Sequence, residues 1–442
     1  MKLPSLGLGV SRKRVERFGG IVELKWPRAL LHVDRDLMRR LGEPESPLWD
    51  GPDDGLDAQP DAHPPSGPTE VHVVLSRRCS AGCTGCYVDA TPQGAALSLE
   101  EACRILDELA QMGVFHVALG GGEAIDLDYL FAVAAHASKV GIVPNLTTSG
   151  LGLTPAMAER CRAFGQINVS IDGVGEGYRR ARGFDGYRHA EKALRLLRAV
   201  KKEVGVNCVV SRSSFAGLGQ VAALVRELKL NELELLRFKP VGRGATSSGP
   251  DGNSEELTLA QAKAIYPLAQ RLMVRHRIRV KLDCSFAPMV FWHQPSAAAA
   301  AFFGVQGCVA GDVLAAVSPE GHLMGCSFAG PQEVDARVPG AMRAHWRDGF
   351  RDFRDFASRA PAPCASCDYL KLCRGGCRAV SNAHGDFHAP DPGCPKVQAF
   401  QSDRAAHGVP VRAAAAPGIV SDQHQANEAP GRSRRALPVI RS

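Results

Sequence analysis

The chain is predicted to be an α/β protein: a parallel sheet or barrel built from six strand–helix units, followed by a small cysteine-rich C-terminal domain. Three observations carry this. Short apolar runs alternate with helical stretches from residue 71 to about 275. The chain's 14 cysteines gather largely at the two ends of that region. With 442 residues, 45% hydrophobic and 22% charged, it has the composition of a soluble globular protein of two domains or three small ones.

The strands are expected at 71–75, 114–119, 142–147, 167–171, 204–210 and 233–238, and the helices near 98–112, 127–140, 154–163, 187–200, 215–228 and 258–275. Alternation of this kind argues a parallel arrangement, because each parallel strand needs a crossover back to the same edge. Before it, residues 1–49 read as strands at 20–24 and 29–33, with Asp34 capping a helix through Leu41. Residues 50–69 are acidic and Pro-rich (Asp50, Asp53, Asp54, Asp57, Asp61, Pro64, Pro65), as in a solvated linker. The Ala/Pro/Arg-rich tail, 402–442, is expected to be disordered.

The net charge of +7 is small for this length, and its positive part lies mainly in the first 45 residues and the tail. No basic stripe interleaved with aromatics marks a nucleic-acid partner. No apolar run approaches the roughly 18 residues of a membrane helix, and the first ten residues are too short and Gly-broken for a secretory signal. The expected location is the cytoplasm, where cysteines serve as metal ligands more often than in disulfides.

Cys79-Ser-Ala-Gly-Cys83-Thr-Gly-Cys86-Tyr87 follows the first strand directly. A strand ending in a thiol-rich loop reads as a metal site. Three thiolates are one short of a closed zinc site or a fully ligated cubane cluster. A 4Fe–4S cluster on three cysteines keeps one iron free for a small molecule. The alternative is a structural zinc loop, although such loops usually draw their cysteines in pairs.

Cys79-x3-Cys83-x2-Cys86 with the aromatic Tyr87 resembles the signature of radical S-adenosylmethionine enzymes. The resemblance implies a partial (β/α)6 barrel with its chemistry at the carboxyl ends of the strands. It implies that the three cysteines hold a 4Fe–4S cluster whose open iron chelates S-adenosylmethionine. An electron from the cluster then cleaves the cofactor to methionine and a 5′-deoxyadenosyl radical, which takes hydrogen from substrate. Gly120-Gly121-Gly122-Glu123 stands where the family binds the methionine amino group, with Ala124 in place of the usual proline. Its glycines would let backbone approach a ligand closely. A Rossmann phosphate loop is the rival reading, but the full Gly-x-Gly-x-x-Gly spacing is absent.

Ser170-Ile-Asp172-Gly173, with Arg182-Gly183 beyond it, resembles the stretch that holds the cofactor's carboxylate in peptide-modifying members. A guanidinium suits a carboxylate because its planar donors reach both oxygens. Taken alone, Asp172-Gly173 is a turn and Arg182 a surface charge.

The second cysteine block runs Cys308-x12-Gly321-x4-Cys326, then Cys364-x2-Cys367-x5-Cys373-x3-Cys377 and, sixteen residues on, Cys394. Zinc ribbons can be built this way, but the whole pattern resembles the SPASM extension of radical enzymes. The resemblance assigns two auxiliary 4Fe–4S clusters. Cys364, Cys367, Cys373 and Cys394 would close the outer one. Cys308, Cys326 and Cys377 would hold the inner one, its last iron open or bound from elsewhere. Cys284 is a possible fourth ligand, though the less favoured reading. Cys103, Cys161 and Cys208 read as buried small hydrophobes.

Members with this extension act mostly on ribosomally made peptides, and this chain most resembles maturases paired with Nif-type leader precursors. The first 49 residues resemble part of a leader-gripping winged-helix element; a strand pair covering the barrel mouth is the plainer alternative. The implied partners are a leader-bearing precursor peptide and an external electron donor such as flavodoxin or ferredoxin. Two other classes stand beside this one, an iron–sulfur electron carrier and a zinc-stabilised scaffold. Within the family the alternative is a sulfatase-maturing type, which uses an aspartate after the cysteine equivalent to Cys326. Here Ser327 follows, and a serine without a partner base is no base near neutral pH.

Overall fold

The computed structural model describes residues 9–25, 28–51, 53, 64–200, 203–246 and 254–407. Most of the linker and the tail beyond residue 407 lie outside the described residues.

The chain opens with a three-stranded antiparallel sheet, β1 Val10–Glu16, β2 Gly19–Lys25 and β3 Arg28–Asp34. Asp34 then caps the helix Arg35–Arg40, as its sequence position predicted. Val22, Leu24, Val33, Met38, Leu41 and Trp49 form a small core of their own. The first strand was not foreseen, because three cations interrupt the apolar pattern of Val10-Ser-Arg-Lys-Arg-Val-Glu16. Two of those cations reach the barrel. Arg12 donates to the carbonyl of Val114 at 3.0 Å, and Arg14 to those of Pro68 and Gly67, each at 2.7 Å. These carbonyls precede barrel strands, so the small sheet sits against the amino ends of the strands.

The main sheet holds β4 Glu70–Ser76, β5 His116–Gly121, β6 Val143–Thr148, β7 Gln166–Ser170, β8 Glu203–Val210, β9 Glu232–Arg237, β10 Val280–Leu282, β11 Leu314–Val317, β12 His322–Met324 and β13 Pro331–Asp335. Its order is β10-β9-β8-β7-β6-β5-β4-β11-β12-β13. Every pairing from β10 to β11 is parallel, and β12 and β13 add an antiparallel edge. All six predicted strands are present. The parallel set is wider than six, because β10 and β11 flank it. Both are only three or four residues long, too short for a period to show.

The strands are two-faced. Val71, Val73, Leu75, Ile167, Val169, Val204, Val206, Leu233 and Leu235 are essentially fully buried and alternate with Glu70, His72, Gln166, Asn168, Glu203, Asn207 and Glu234, which line an interior cavity. Helices cover the apolar side. The helix Leu99–Gln111 is typical: Ser98 and Glu101 form a reciprocal capping box, and Ala102, Ile105, Leu106 and Leu109 make one buried stripe. Burying each such large aliphatic side chain is worth about 1.5–3 kcal/mol.

The extension is continuous with the barrel. β11 pairs with β4 in register Ala315↔Val71 and Val317↔Val73. A buried ion pair reinforces the join. Arg237, at the end of β9, donates to both carboxylate oxygens of Asp391 at 2.7 and 3.0 Å. The final helix, Pro395–Ala406, runs past residue 402, where the sequence placed the start of the tail.

Candidate functional site

A cavity of about 1160 Å³ runs through the barrel from the carboxyl ends of its strands to the small sheet at their amino ends. Cys79, Cys83 and Cys86 line its upper end as free, half-buried thiols. Their loop is held by backbone and by neighbouring cations. Cys79 N donates to Thr91 O at 3.0 Å, and Thr84 N to Arg182 O at 3.1 Å. Arg243 donates from its backbone to Cys86 O at 3.0 Å, and from its side chain to Cys83 O at 2.9 Å and Ala90 O at 2.7 Å. Nothing in the sequence singles out Arg243, which opens a Gly/Ser-rich stretch whose residues 247–253 lie outside the described residues. Gly242 before it has φ +57° and a Cβ there would meet Cys86 O at 2.5 Å. The strand-proximal part of that stretch is a clamp.

Gly120, Gly121 and Gly122 end β5 on the cavity wall. Gly121 has φ +129°, and a Cβ there would strike Ser76 O at 2.2 Å; one on Gly122 would strike Arg78 O at 2.1 Å. These two glycines therefore let β5 press against the root of the cysteine loop. Gly120 alone has open space in front of it, 3.9 Å from Thr147. Glu123 points the other way. Its buried carboxylate accepts from Thr148 Oγ1 at 2.7 Å, from Ser149 N at 2.8 Å and from the Ser149 hydroxyl. Burial raises its pKa, and those hydrogen bonds oppose the rise.

Ser170, at the end of β7, and Arg182, at the end of the helix Glu176–Arg182, both face the cavity. Arg182 Nε stands 2.8 Å from Asp172 Oδ2, and Arg182 Nη1 stands 3.7 Å from the Cys83 sulfur. Asp172 also accepts from Val209 N at 2.7 Å. Burial opposes the Arg182 charge, and Asp172 outweighs it, so the guanidinium stays cationic. Arg182 is thus no surface charge. Tyr87 lies tilted on Phe328, ring centroids 4.7 Å apart, and burial pushes its hydroxyl up to about 12.

The extension's cysteines fall into two sets. Cys364, Cys367, Cys373 and Cys394 line one small pocket together with Pro288, Leu370 and Lys396. Cys308, Cys326 and Cys377 lie within electrostatic reach of one another. Cys284 joins them: its thiol, raised well above the ordinary range by burial first, also feels Asp283, Cys308 and Cys377. The sequence gives no sign of this neighbourhood, because Cys284 is far from Cys308 and Cys377 along the chain. Burial likewise lifts Cys326 to about 12 and Cys377 to about 11. Such thiols need a positive partner to become thiolates. Cys161 and Cys208 are buried in the core as expected; Cys103 is half-buried. Among the described residues, no group of three or more His, Cys, Asp or Glu side chains is placed to hold a single metal ion.

Further cavity residues escaped the sequence reading. Ser327 does have a partner base, since His72 Nδ1 stands 3.2 Å from its hydroxyl and His72 Nε2 stands 3.5 Å from Glu70. Ser327 is therefore not an unaided serine. Lys239 lines the same cavity as the triad and lies 4.3 Å over the ring of Phe328. Glu234, deep in the barrel, is lifted to about 7, mainly by burial. Only the fold brings these residues together.

No helix among the described residues is long and apolar enough to cross a membrane. Residues 73–213, which carry the triad, the glycine loop and the Ser170–Arg182 stretch, match the Radical SAM superfamily. The mycofactocin maturase MftC of Mycobacterium ulcerans is 28% identical over 333 residues, covering 72% of this chain and 86% of that protein. The PqqA peptide cyclase of Ruegeria pomeroyi is 27% identical over 341 residues, covering 74% of this chain and 87% of its own. Among solved structures, Streptococcus suis SuiB bound to the precursor peptide SuiA superposes with a TM-score of 0.67 at 16% identity, covering 88% of this chain and 99% of that one. The likeness to SuiB shows the fold, and the match to the Radical SAM superfamily falls on the residues that build the site.

Proposed function

We propose that the chain is a radical S-adenosylmethionine maturase that modifies a ribosomally made precursor peptide. The observation that carries this is the pairing of an incomplete thiol triad with a cavity of about 1160 Å³. Small-molecule sites span roughly 300–1,000 Å³, so this one has room for a peptide segment beside the cofactor. Relatives named as a maturase and a peptide cyclase, and a fold neighbour holding a precursor peptide, support the same reading.

Cys79, Cys83 and Cys86 would hold a 4Fe–4S cluster. Such a cluster is itself several ångström wide, so thiols ringing a cavity suit it better than thiols closed around one ion. With S-adenosylmethionine on its open iron, the group supplies the electron that generates a 5′-deoxyadenosyl radical. Arg182, kept cationic by Asp172, and Ser170 would receive the cofactor's carboxylate. Gly120 would offer unobstructed backbone to the amino group, while Glu123 braces the β5–β6 corner from behind. The barrel wall and the small sheet beneath it would keep water from the radical.

Cys364, Cys367, Cys373 and Cys394 would hold an outer auxiliary cluster. Cys308, Cys326, Cys377 and Cys284 would hold an inner one with all four irons ligated. The sheet β1–β3 is read as the leader-recognition element, and flavodoxin or ferredoxin as the electron donor. The test uses anaerobically reconstituted full-length protein with S-adenosylmethionine and dithionite. It is given peptides encoded by short reading frames beside the gene, and separately a sulfatase-type peptide. 5′-Deoxyadenosine and a mass change in a neighbouring peptide are expected. Formylglycine on the sulfatase peptide would move the chain to the sulfatase-maturing branch.

A further inference from the structure

We propose that Lys239 sets the reduction potential of the inner iron–sulfur site, holding it higher than its four thiolates alone would allow. The inference rests on the reading of Cys308, Cys326, Cys377 and Cys284 as that site's ligands.

Lys239 lies two residues past β9, with its side chain only 4% exposed. Its ammonium donates to Asp283 Oδ2 at 2.7 Å and to Arg237 O at 3.2 Å, and it sits 4.3 Å over the ring of Phe328. Asp283 immediately precedes Cys284, and Phe328 follows Cys326 by two residues. The cation is therefore pinned by the neighbours of two of the four thiols. After burial it is the leading influence on Cys377, and it acts more weakly on Cys326 and on Cys284, where Asp283 outweighs it.

Two other cations stand nearby, each paired with a carboxylate. Arg237 is bound through both carboxylate oxygens of Asp391, and Arg374 pairs with Asp312 at 2.7 Å and donates to Cys308 O at 3.3 Å. Asp283 offsets Lys239 in part and has the opposite sign, which makes the pair a natural charge series.

A cluster's potential follows the net charge and hydrogen bonding around it. One-electron reduction adds negative charge to a set of thiolates in a poorly polarisable surround, so a fixed cation beside them favours the reduced form. Lys239 also faces the catalytic cavity, on the same wall as Cys86 and Tyr87. It thus raises electron affinity on the side of the inner site that looks toward the radical chemistry.

The test is a mediator-poised EPR titration of reconstituted full-length protein, comparing wild type with Lys239→Met, Lys239→Arg and Asp283→Asn. The inner component is identified as the one lost in Cys326→Ala. Lys239→Met should move that component alone to more negative potential, by a tenfold or larger change in its reduction equilibrium, 59 mV per tenfold for one electron. Lys239→Arg should hold it near wild type, and Asp283→Asn should move it positive. The triad and outer components serve as internal references. An inner component that stays put or moves positive in Lys239→Met overturns the proposal. If that variant fails to take up iron, Asp283→Asn decides, and an unshifted potential there overturns it too. Wild-type protein without an inner component would instead remove the ligand assignment, and the proposal with it.

Discussion

The two cysteine-rich regions set their thiols in different surroundings. Cys79, Cys83 and Cys86 are half-buried on a loop that opens into a large cavity, positioned by backbone contacts and by the Arg243 clamp. Cys308, Cys373 and Cys377 are buried, with Cys284, Cys326, Cys364, Cys367 and Cys394 half-buried, in a region that the buried Arg237–Asp391 pair ties to the barrel. Asp391 also accepts from Cys377 N at 2.9 Å and Gly393 N at 2.8 Å. The difference is what the proposed function would ask of each region. A site that must admit and release a small molecule needs an open face and adjustable loops. A site that only has to hold metal can be sealed, and sealing it makes its ligands costly to leave bare.

The largest expected effect breaks the comparison on the open side. Replacing Cys79, Cys83 and Cys86 by alanine should abolish 5′-deoxyadenosine formation. Of about twelve irons implied by three clusters, about eight should remain, because the sealed sites do not depend on this loop. Retained cofactor cleavage would show that the triad is not the active centre.

On the sealed side, Asp391→Ala strands Arg237 in the core, since burial opposes the guanidinium charge and Asp391 is what compensates it. Breaking a buried pair costs about 3–5 kcal/mol. The variant should melt earlier and lose iron from the extension. An unchanged melting temperature and iron content would mean that the join between β9 and the extension is incidental.

A smaller effect belongs to Arg182. Losing one charge-assisted hydrogen bond costs about 1.5–3 kcal/mol, or tenfold and more in affinity. Arg182→Ala should weaken S-adenosylmethionine binding by that factor while iron content stays intact. Equal binding, measured by calorimetry on the reconstituted protein, would reduce Arg182 to a brace for Asp172.

How legible all this is in the sequence differs between the same two regions. The barrel strands and the open triad are local features: an apolar run, a loop of close cysteines, a serine and an arginine twelve residues apart. Lys239, Asp283, Cys284 and Cys326 form one neighbourhood through contacts between separate elements, and spacing carries no trace of it. The glycines after Leu119 were read as letting backbone approach a ligand; all three do line the cavity, and two of them also let β5 pack against the root of the cysteine loop. The inward polar residues of β7 to β9 were hidden inside runs whose apolar members dominate the pattern. β1 was hidden by cations that turn out to grip the barrel.

The last prediction asks on which side of the comparison the cavity floor belongs. Glu234 accepts a hydrogen bond from Asn168 Nδ2 at 3.3 Å. Its pKa rises from 4.5 to about 7, by burial first, with Lys281 opposing and Glu232 and Asp283 adding. The sign follows from linkage. Between those two values the folded chain keeps a proton that the unfolded chain has lost, so stability falls as pH rises through the window. Below it the group contributes no difference, and above it the destabilisation is fully present. Glu234→Gln removes the titration and keeps the shape. Its melting temperature relative to wild type should therefore be higher at pH 8 than at pH 5, by about 2 °C for an effect near 1 kcal/mol. If the two proteins differ equally at both pH values, the floor is well hydrated and resembles the open loop. The expected divergence would show that the cavity darkens with depth from an exchangeable mouth to a surround as poorly polarisable as that of the sealed thiols.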